Sequence, residues 1–229
     1  MHTVDPFVNL AIEQWLMESK RSKGAYMLVW RSSPCVVIGR HQDPQRECNM
    51  DLVKELYIPL VRRYSGGGAV YQDLGNSNYS LITDLETFKR ERACELIIGA
   101  MQRVGVELRS SERWDLWREG GKVSGSAFRM SRGKAYHHGT MLRETCLRTL
   151  LSVLDAKTDQ KDLGEGYAVG SVRSPVANVH ISHEQFCTAV DEEFEPWERV
   201  EVKELPREAM RYYEELKDEE WILRRKIKL

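Results

Sequence analysis

Three consecutive glycines, Gly66-Gly67-Gly68, follow Ser65 and stand between two short apolar runs, Leu60–Tyr64 and Ala69–Asp73. A run of residues without Cβ atoms is poor helix material, and it lets a backbone turn tightly and approach another group closely. The flanking runs have the length and composition of strands. The chain must therefore accommodate a strand-to-strand connection with a bare backbone, immediately after Arg62 and Arg63. The N–H groups of such a connection can face phosphate oxygens, and two arginines beside it can supply counter-charge in forked geometry. No Gly-Lys-Ser/Thr follows and no helix opens, so the segment is neither a Walker loop nor a dinucleotide fingerprint. The same residues equally suit a glycine-rich hairpin turn with surface arginines.

The rest of the chain reads as strands in the middle and helices around them. Asp5-Pro6 is an N-cap followed by a first-turn proline, and Val8, Ala11, Ile12, Trp15 and Leu16 then recur at helical spacing. Tyr26–Trp30 and Cys35–Gly39 flank Arg31-Ser-Ser-Pro34 and predict a strand hairpin, and Glu47–Leu56 predicts a helix. Tyr79–Thr83 predicts a strand, and Thr87–Val104 a helix with one apolar stripe from Ala93 to Val104. Trp114–Arg118, Lys122–Met130 and Ala135–Leu142, with turns at Gly120-Gly121 and Arg132-Gly133, predict a meander. The stretch 155–170 is polar and glycine-bearing, which predicts a loop. Ser182-His-Glu-Gln185 is a capping box opening a helix to about Phe194, and Pro206–Leu216 predicts a last amphipathic helix. The sum is an α+β fold, a mostly antiparallel sheet flanked by helices, with residues 1–229 forming one domain.

Two further segments carry polar chemistry on strands. Alternation in Gly121–Phe128 places Lys122, Ser124 and Ser126 on one face. That face can hold a carboxylate next to a phosphate, because an ammonium offers a compact charge with three donors, and it also suits a solvated sheet edge. In Tyr136–Leu142 the adjacent His137 and His138 point to opposite faces, so they cannot chelate one metal together. One can face a cleft, where an imidazole can move protons, or both can be satisfied structural residues.

Lys plus Arg is 34 and Asp plus Glu is 35, so no global field draws the chain to nucleic acid or an anionic membrane. The five cysteines are scattered without a CxxC pair, which points to a reducing compartment and away from a disulfide framework or zinc knuckle. The N-terminus lacks signal-peptide character and no apolar run approaches a membrane span. These features lead to an expected location in the cytoplasm, or in the mitochondrial matrix of a eukaryote.

Taken together, Asn9–Glu13, Val36–Arg40, Glu47–Asn49, Arg62–Asn78, Lys122–Arg129, Tyr136–Leu142 and Ser171–Pro175 resemble the biotin/lipoate ligase superfamily, in its lipoate–protein ligase and lipoyltransferase branch. A weaker similarity lies near Trp221. The resemblance implies a biotin/lipoate ligase-like catalytic domain. It also implies a two-step reaction: lipoate attacks the α-phosphate of ATP to give lipoyl-adenylate, and an acceptor lysine then attacks the mixed anhydride. By resemblance, Arg63 and Gly68-Ala69-Val70-Tyr71 hold the nucleotide, and Lys122 touches both the lipoyl carbonyl and the phosphate as the catalytic cation. Glu13, Trp30, Ser65, Gly66, Gly67 and His138 match the lipoate pocket, and Asp115 is a candidate ligand for Mg2+. The implied acceptors are apo lipoyl-domain proteins: E2 subunits of 2-oxoacid dehydrogenases and the glycine cleavage H protein.

Two departures stand out. Gln45 occupies a position where many relatives have Trp. The 229 residues stop where larger bacterial ligases continue into a C-terminal accessory domain, which makes a separate accessory-domain protein an expected partner. Within the fold, a cysteine-dependent octanoyltransferase is disfavoured, because Ser110–Arg118 contains no cysteine. A lipoyltransferase that uses preformed lipoyl-nucleotide stays open. A non-catalytic module that binds lipoate or lipoyl domains fits less well, since a mere binder has no use for Lys122 beside a phosphate loop.

Overall fold

A computed structural model describes residues 1, 3–19, 24–156, 169–194 and 200–223. Two long strands organise it. β5 (Asn76–Asp84) and β10 (Lys134–Leu142) pair antiparallel over nine residues, from Lys134↔Asp84 to Leu142↔Asn76. β1 (Tyr26–Trp30) adds to the other edge of β5, and β9 (Ser126–Ser131) to the other edge of β10. The sheet therefore runs β1-β5-β10-β9, all antiparallel.

Side-chain alternation along β5 gives this sheet two apolar faces. Tyr79 and Leu81 face α4 (Arg90–Arg103) and α6 (His183–Glu193) in one core. Ile82 and, from β10, Tyr136 face α1 (Pro6–Glu18) and two C-terminal helices, α7 (Met210–Lys217) and α8 (Glu219–Leu223). Local chemistry sets the helix ends. The Asp5 carboxylate caps α1 by accepting from Phe7 and Val8 N–H, and Ser182 and Gln185 form the complete capping box that opens α6.

A second, smaller sheet runs β3-β2-β4, from β2 (Cys35–Ile38), β3 (Leu60–Arg62) and β4 (Val70–Gln72). Short helices α2 (Pro44–Glu47), α3 (Met50–Glu55) and α5 (Leu147–Val153) accompany it. The last two meet Val36, Ile38 and Tyr71 in a third core. The third sheet contains β6 (Arg109–Ser110), β7 (Leu116–Arg118) and β8 (Gly121–Ser124) in that order.

Three pairings differ from the sequence expectations. The runs at Tyr26–Trp30 and Cys35–Ile38 do not form a hairpin: β1 pairs with β5, while β2 pairs with β3 and β4. The glycine segment is likewise no hairpin turn, since β3 lies parallel to β2 on one side and β4 antiparallel on the other. The glycines thus carry the chain across β2. The expected meander splits at Gly125, with β7–β8 in the third sheet and β9–β10 in the main one. In each case the local apolar pattern permits several partners, and strands elsewhere in the chain decide which are taken: β5 for β1, β3 and β4 for β2, and β10 for β9. Most of the loop expected at 155–170 lies outside the described residues.

Arg62, at the end of β3, ties the C-terminal helix to this frame. It is fully buried, and its guanidinium donates to the carbonyls of Gly39, Arg40 and Gln42 (3.2, 3.0 and 2.7 Å) and of Trp221 and Ile222 (2.9 and 2.8 Å). The Trp221 indole donates back to the Arg62 carbonyl at 2.8 Å. A buried cation is tolerable only with such saturation. Arg62 is accordingly a structural hub and supplies no counter-charge to a ligand, contrary to its reading from sequence.

Two expected outcomes follow from burial. Arg62→Met strands several buried carbonyls, and urea denaturation should show a loss of about 3 kcal/mol or more. Burial pushes the imidazole of His137 down to about 3 and that of His183, further depressed by Arg31 and Arg143, down to about 4, from 6.5. Below pH 6.5 the unfolded chain then binds protons that the folded one refuses, so stability is present above that value and falls as pH drops towards 4. Denaturation midpoints across this window should decline, and the decline should shrink in His137→Phe.

Candidate functional site

Arg63 stands next to Arg62 but points the other way, under the glycine segment. Its Nε–H donates to Ser65 Oγ (2.8 Å), Nη1 to the Val37 carbonyl (3.3 Å), and Nη2 to the carbonyls of Gly66 (2.6 Å) and Gly68 (2.8 Å). Burial pushes its pKa down to about 10, which leaves it a cation at neutral pH. The brace fixes loop carbonyls inward, while the N–H groups of Gly66, Gly67 and Gly68 make no hydrogen bond within the described residues. Backbone conformation explains one glycine and close packing another. Gly67 has φ +85°, and a Cβ at Gly39 would lie 2.1 Å from the Gly67 carbonyl oxygen. Gly66 is different, since a Cβ there would meet nothing within 4 Å.

The glycine segment forms one wall of a cleft. Leu10, Trp30, Val37, Val70 and Ala127 give it an apolar lining. Gln72, Asn78, Arg113, Thr140 and Ser171 add polar groups that sequence reasoning did not single out as site residues. Lys122 Nζ and Asp115 Oδ2 meet in the cleft at 2.9 Å. A tight turn presents Asp115, with Trp114 at φ +65° and the Ser111 N–H bonded to the Asp115 carbonyl. The other Asp115 oxygen accepts the Ser126 N–H at 3.2 Å. Lys122 is held at backbone level by Pro175 and Ala177, which zip onto β8.

The face expected to carry Lys122, Ser124 and Ser126 is corrected at Gly125, where β8 ends and β9 begins. Ser124 is fully buried against the Tyr79 hydroxyl, whereas a Cβ at Gly125 would pack on the Lys122 side chain at 3.3 Å. Ser126 does line the cleft, with its hydroxyl donating to the Trp114 carbonyl at 2.6 Å. His137 and His138 diverge as alternation requires, the first into the core against Phe128 and the second to the cleft. His138 Nδ1 lies 2.9 Å from Glu13 Oε1, and its Nε2 lies 2.8 Å from Ser65 Oγ. Glu13 and Ser65 sit behind the ring, 2% and 1% exposed, and do not line the cleft. The Tyr71 side chain turns away into the third core, so only its neighbours Val70 and Gln72 reach the cleft wall.

A strap crosses the glycine segment. Ser171 Oγ accepts from the Ala69 N–H (2.8 Å) and from Gln42 Nε2 (3.0 Å), and the Ser171 N–H donates to the Glu47 carboxylate at 3.2 Å. None of the five cysteines lines the cleft. Burial raises Cys48 and Cys94 to about 12 and Cys35 further, which removes these three as thiolate nucleophiles. For a metal, Asp115 is the lone carboxylate in the cleft lining, and no three His, Cys, Asp or Glu side chains gather among the described residues. One hard oxygen fits a magnesium ion that arrives on phosphate oxygens and keeps its waters, and does not fit an all-protein cage.

Residues 5–195 match the model of the lipoyl protein ligase A/B catalytic domain. The chain is 35% identical over 228 residues to a lipoate-protein ligase A of Bdellovibrio bacteriovorus, covering 95% of this chain and 66% of that protein. It thus spans just under two thirds of that relative's length. Among solved structures it is similar to P. falciparum LipL1 in complex with lipoate, with a TM-score of 0.82 at 23% identity over 99% of this chain and 73% of that one. It is also similar to the bipartite lipoate protein ligase of T. acidophilum, solved in a study with its E2 lipoyl domain, with a TM-score of 0.79 at 23% identity over 97% and 93% of the two chains.

The Gly39 contact gives a direct test of the site's construction. Gly39→Ala should displace the glycine segment and lower the thermal midpoint by several degrees, about 1–3 kcal/mol for overpacking. Gly66→Ala should leave the midpoint within about 0.5 kcal/mol equivalent of the parent.

Proposed function

The chain belongs to the lipoyl protein ligase A/B catalytic-domain family, and from that membership we propose that it attaches lipoic acid to an acceptor lysine by way of lipoyl-adenylate. The observation that carries this reading is the meeting, in one cleft, of a cation on a rigid strand and the braced glycine loop. Lys122 supplies the cation, the loop N–H groups of Gly66–Gly68 are without partners among the described residues, and an apolar wall adjoins both. A ligand that is aliphatic at one end and phosphoryl at the other matches those parts.

In the first step the lipoate carboxylate attacks the α-phosphorus of ATP and pyrophosphate leaves. Negative charge builds on the α-phosphoryl oxygens, and a fixed ammonium and preset amide dipoles stabilise it without reorganising. Lys122, now paired with Asp115, would turn to meet that charge, and Asp115 would be the residue to hold a magnesium ion. Such an ion would supply charge that offsets the pyrophosphate leaving group. Leu10, Trp30 and Val37 receive the aliphatic chain and exclude water from the anhydride. In the second step the acceptor lysine amine attacks the lipoyl carbonyl, an amide forms and AMP leaves. Lys122 again lies where the carbonyl oxygen gains charge. The acceptor in this reading is an apo lipoyl domain of an E2 subunit or an H protein.

The deciding experiment supplies the chain with ATP, magnesium, lipoate and an apo lipoyl domain, and reads the acceptor by intact mass. An increase of one lipoyl group is expected, and an unchanged mass both with ATP plus lipoate and with preformed lipoyl-adenylate overturns the reading. Modification from lipoyl-adenylate alone identifies a lipoyltransferase that uses preformed lipoyl-nucleotide without activating lipoate itself. Lys122→Ala should reduce adenylate formation about 100-fold or more, read as pyrophosphate release, with an unchanged denaturation midpoint. Near-parental release would remove Lys122 from the chemistry. Gly67→Val and Gly68→Val should weaken binding of a non-hydrolysable lipoyl-adenylate analogue. The Cβ atoms would strike Arg63 Nη2 and Ser171 Oγ, both at 2.9 Å, and so distort the brace and the strap.

A further inference from the structure

Tyr64, at the end of the apolar run that leads into the glycine segment, packs its ring against two others from the C-terminal helices. The Tyr212 ring of α7 meets it edge-on with centroids 6.1 Å apart, and the Trp221 ring of α8 lies tilted at 5.1 Å. All three residues are buried. A guanidinium lies over each ring: Arg129 over Tyr64 at 5.6 Å, Arg40 over Trp221 at 5.7 Å and Arg211 over Tyr212 at 4.4 Å. Stacking of this kind occupies the flat side of a guanidinium and leaves the N–H donors along its edge. One carboxylate then joins the group. Glu18, at the end of α1, receives Arg132 Nη1 at 2.7 Å, and Arg129 and Arg211 each approach it to 3.7 Å. These groups and Glu215 line a cavity of 330 Å³ in which four arginines face two glutamates, on a chain whose net charge is -1. The positive excess is local and held in place by the rings.

Arg132 supplies a second observation. With Gly133 it makes the two-residue tip of the β9–β10 hairpin, and both residues have positive φ, +52° and +80°. Asn or Gly suits such a turn, because a larger side chain crowds the backbone there. An arginine is a costly choice for the turn itself. What it places at the cavity rim is a guanidinium that is 69% exposed and engages Glu18 through Nη1. The other side-chain donors of Arg132 meet no acceptor among the described residues.

We propose that this arginine array is the docking surface for an acidic segment of a partner protein, with Arg132 and Arg211 as its exposed contacts. The array already gathers around one carboxylate, that of Glu18, so its geometry suits carboxylates. Nucleic acid fits less well, because bases stack on open aromatic faces and these rings are buried and capped by guanidiniums. A chain fits better than a single small ion. The rings that carry the guanidiniums stand 5.1 and 6.1 Å from their neighbour, close to the roughly 6.6 Å between alternate side chains of an extended peptide. The array also borders the cleft, since the Arg40 N–H donates to the Ser65 carbonyl at 2.8 Å. A partner docked there lies beside the glycine segment. The assignment rests on charge and geometry and does not require the ligase reading.

The test titrates the full chain into a fluorescein-labelled oligoglutamate peptide at low salt and reads fluorescence anisotropy. The peptide should bind, and added salt should weaken it. Arg132→Asn and Arg211→Gln should each weaken binding about fivefold or more, whereas Arg92→Gln, at an exposed arginine on α4, should change it less than about twofold. Arg132→Asn separates docking from folding: it relieves the strained turn, so the thermal midpoint should hold or rise while affinity falls. Should that variant lose stability, Arg211→Gln decides by the same binding readout. Absence of binding, unchanged affinity in Arg211→Gln, or an equal loss in Arg92→Gln overturns the proposal. Tighter binding of a single-stranded oligonucleotide or of phosphatidylserine vesicles through the same arginines overturns it as well, as does inorganic phosphate that competes as strongly as the peptide.

Discussion

Two guanidinium groups buried side by side at the end of β3 hold this molecule together around its cleft. Strand alternation sends them to opposite sides. Arg62 gathers carbonyls from residues 39–42 and from the last described helix, and Arg63 gathers those of the glycine loop and of β2. A charge withdrawn from water is stable only if nearly every donor finds an oxygen. Each arginine therefore dictates where several peptide planes must lie. Without the first, α8 loses its anchor on the frame. Without the second, nothing in the glycine sequence itself would favour one loop conformation over many.

The main sheet supplies the rigidity against which these loops are set. β5 and β10 are buried along nearly their whole length, with helices on both faces. Side chains that line the cleft borrow that rigidity from different strands. Trp30 sits at the end of β1, His138 in mid-β10, and Lys122 on a short strand whose edge is zipped to residues 175–177. The cleft thus joins parts of all three sheets. That arrangement lets the glycine loop, the Lys122 ammonium and an apolar wall adjoin although they come from distant segments.

The buried polar chain behind His138 illustrates how a site can extend beyond its lining. Glu13 is on the first helix and Ser65 next to the glycines, 73 residues before His138. Their hydrogen bonds connect a helix that packs the core to a loop that lines the cleft. Fully satisfied polar networks of this kind specify one geometry, because each member left unpaired would cost more than a neutral surface contact.

Much of this was legible in the residues themselves. The Asp5 cap, the capping box at Ser182, the divergence of His137 and His138 and the glycine connection each follow from backbone chemistry within a few residues, and all are present. The family resemblance likewise brought Lys122, Asp115, Trp30, His138 and the glycine segment to one site, and these do converge. What the sequence could not determine was strand partnership and the inward or outward sense of polar side chains. Tyr26–Trp30 and Cys35–Ile38 are short apolar runs with no intrinsic partner, and their pairing depends on the distant β5, β3 and β4. Ser124 and Ser126 are parted by a strand break at Gly125 that alternation does not foresee. Arg62 and Arg63 are chemically identical neighbours, and only the tertiary structure places one among the carbonyls of the C-terminal helix and the other beneath the loop. Propensity and periodicity act over a turn or a strand, whereas a buried charge is positioned by oxygens contributed from across the whole chain.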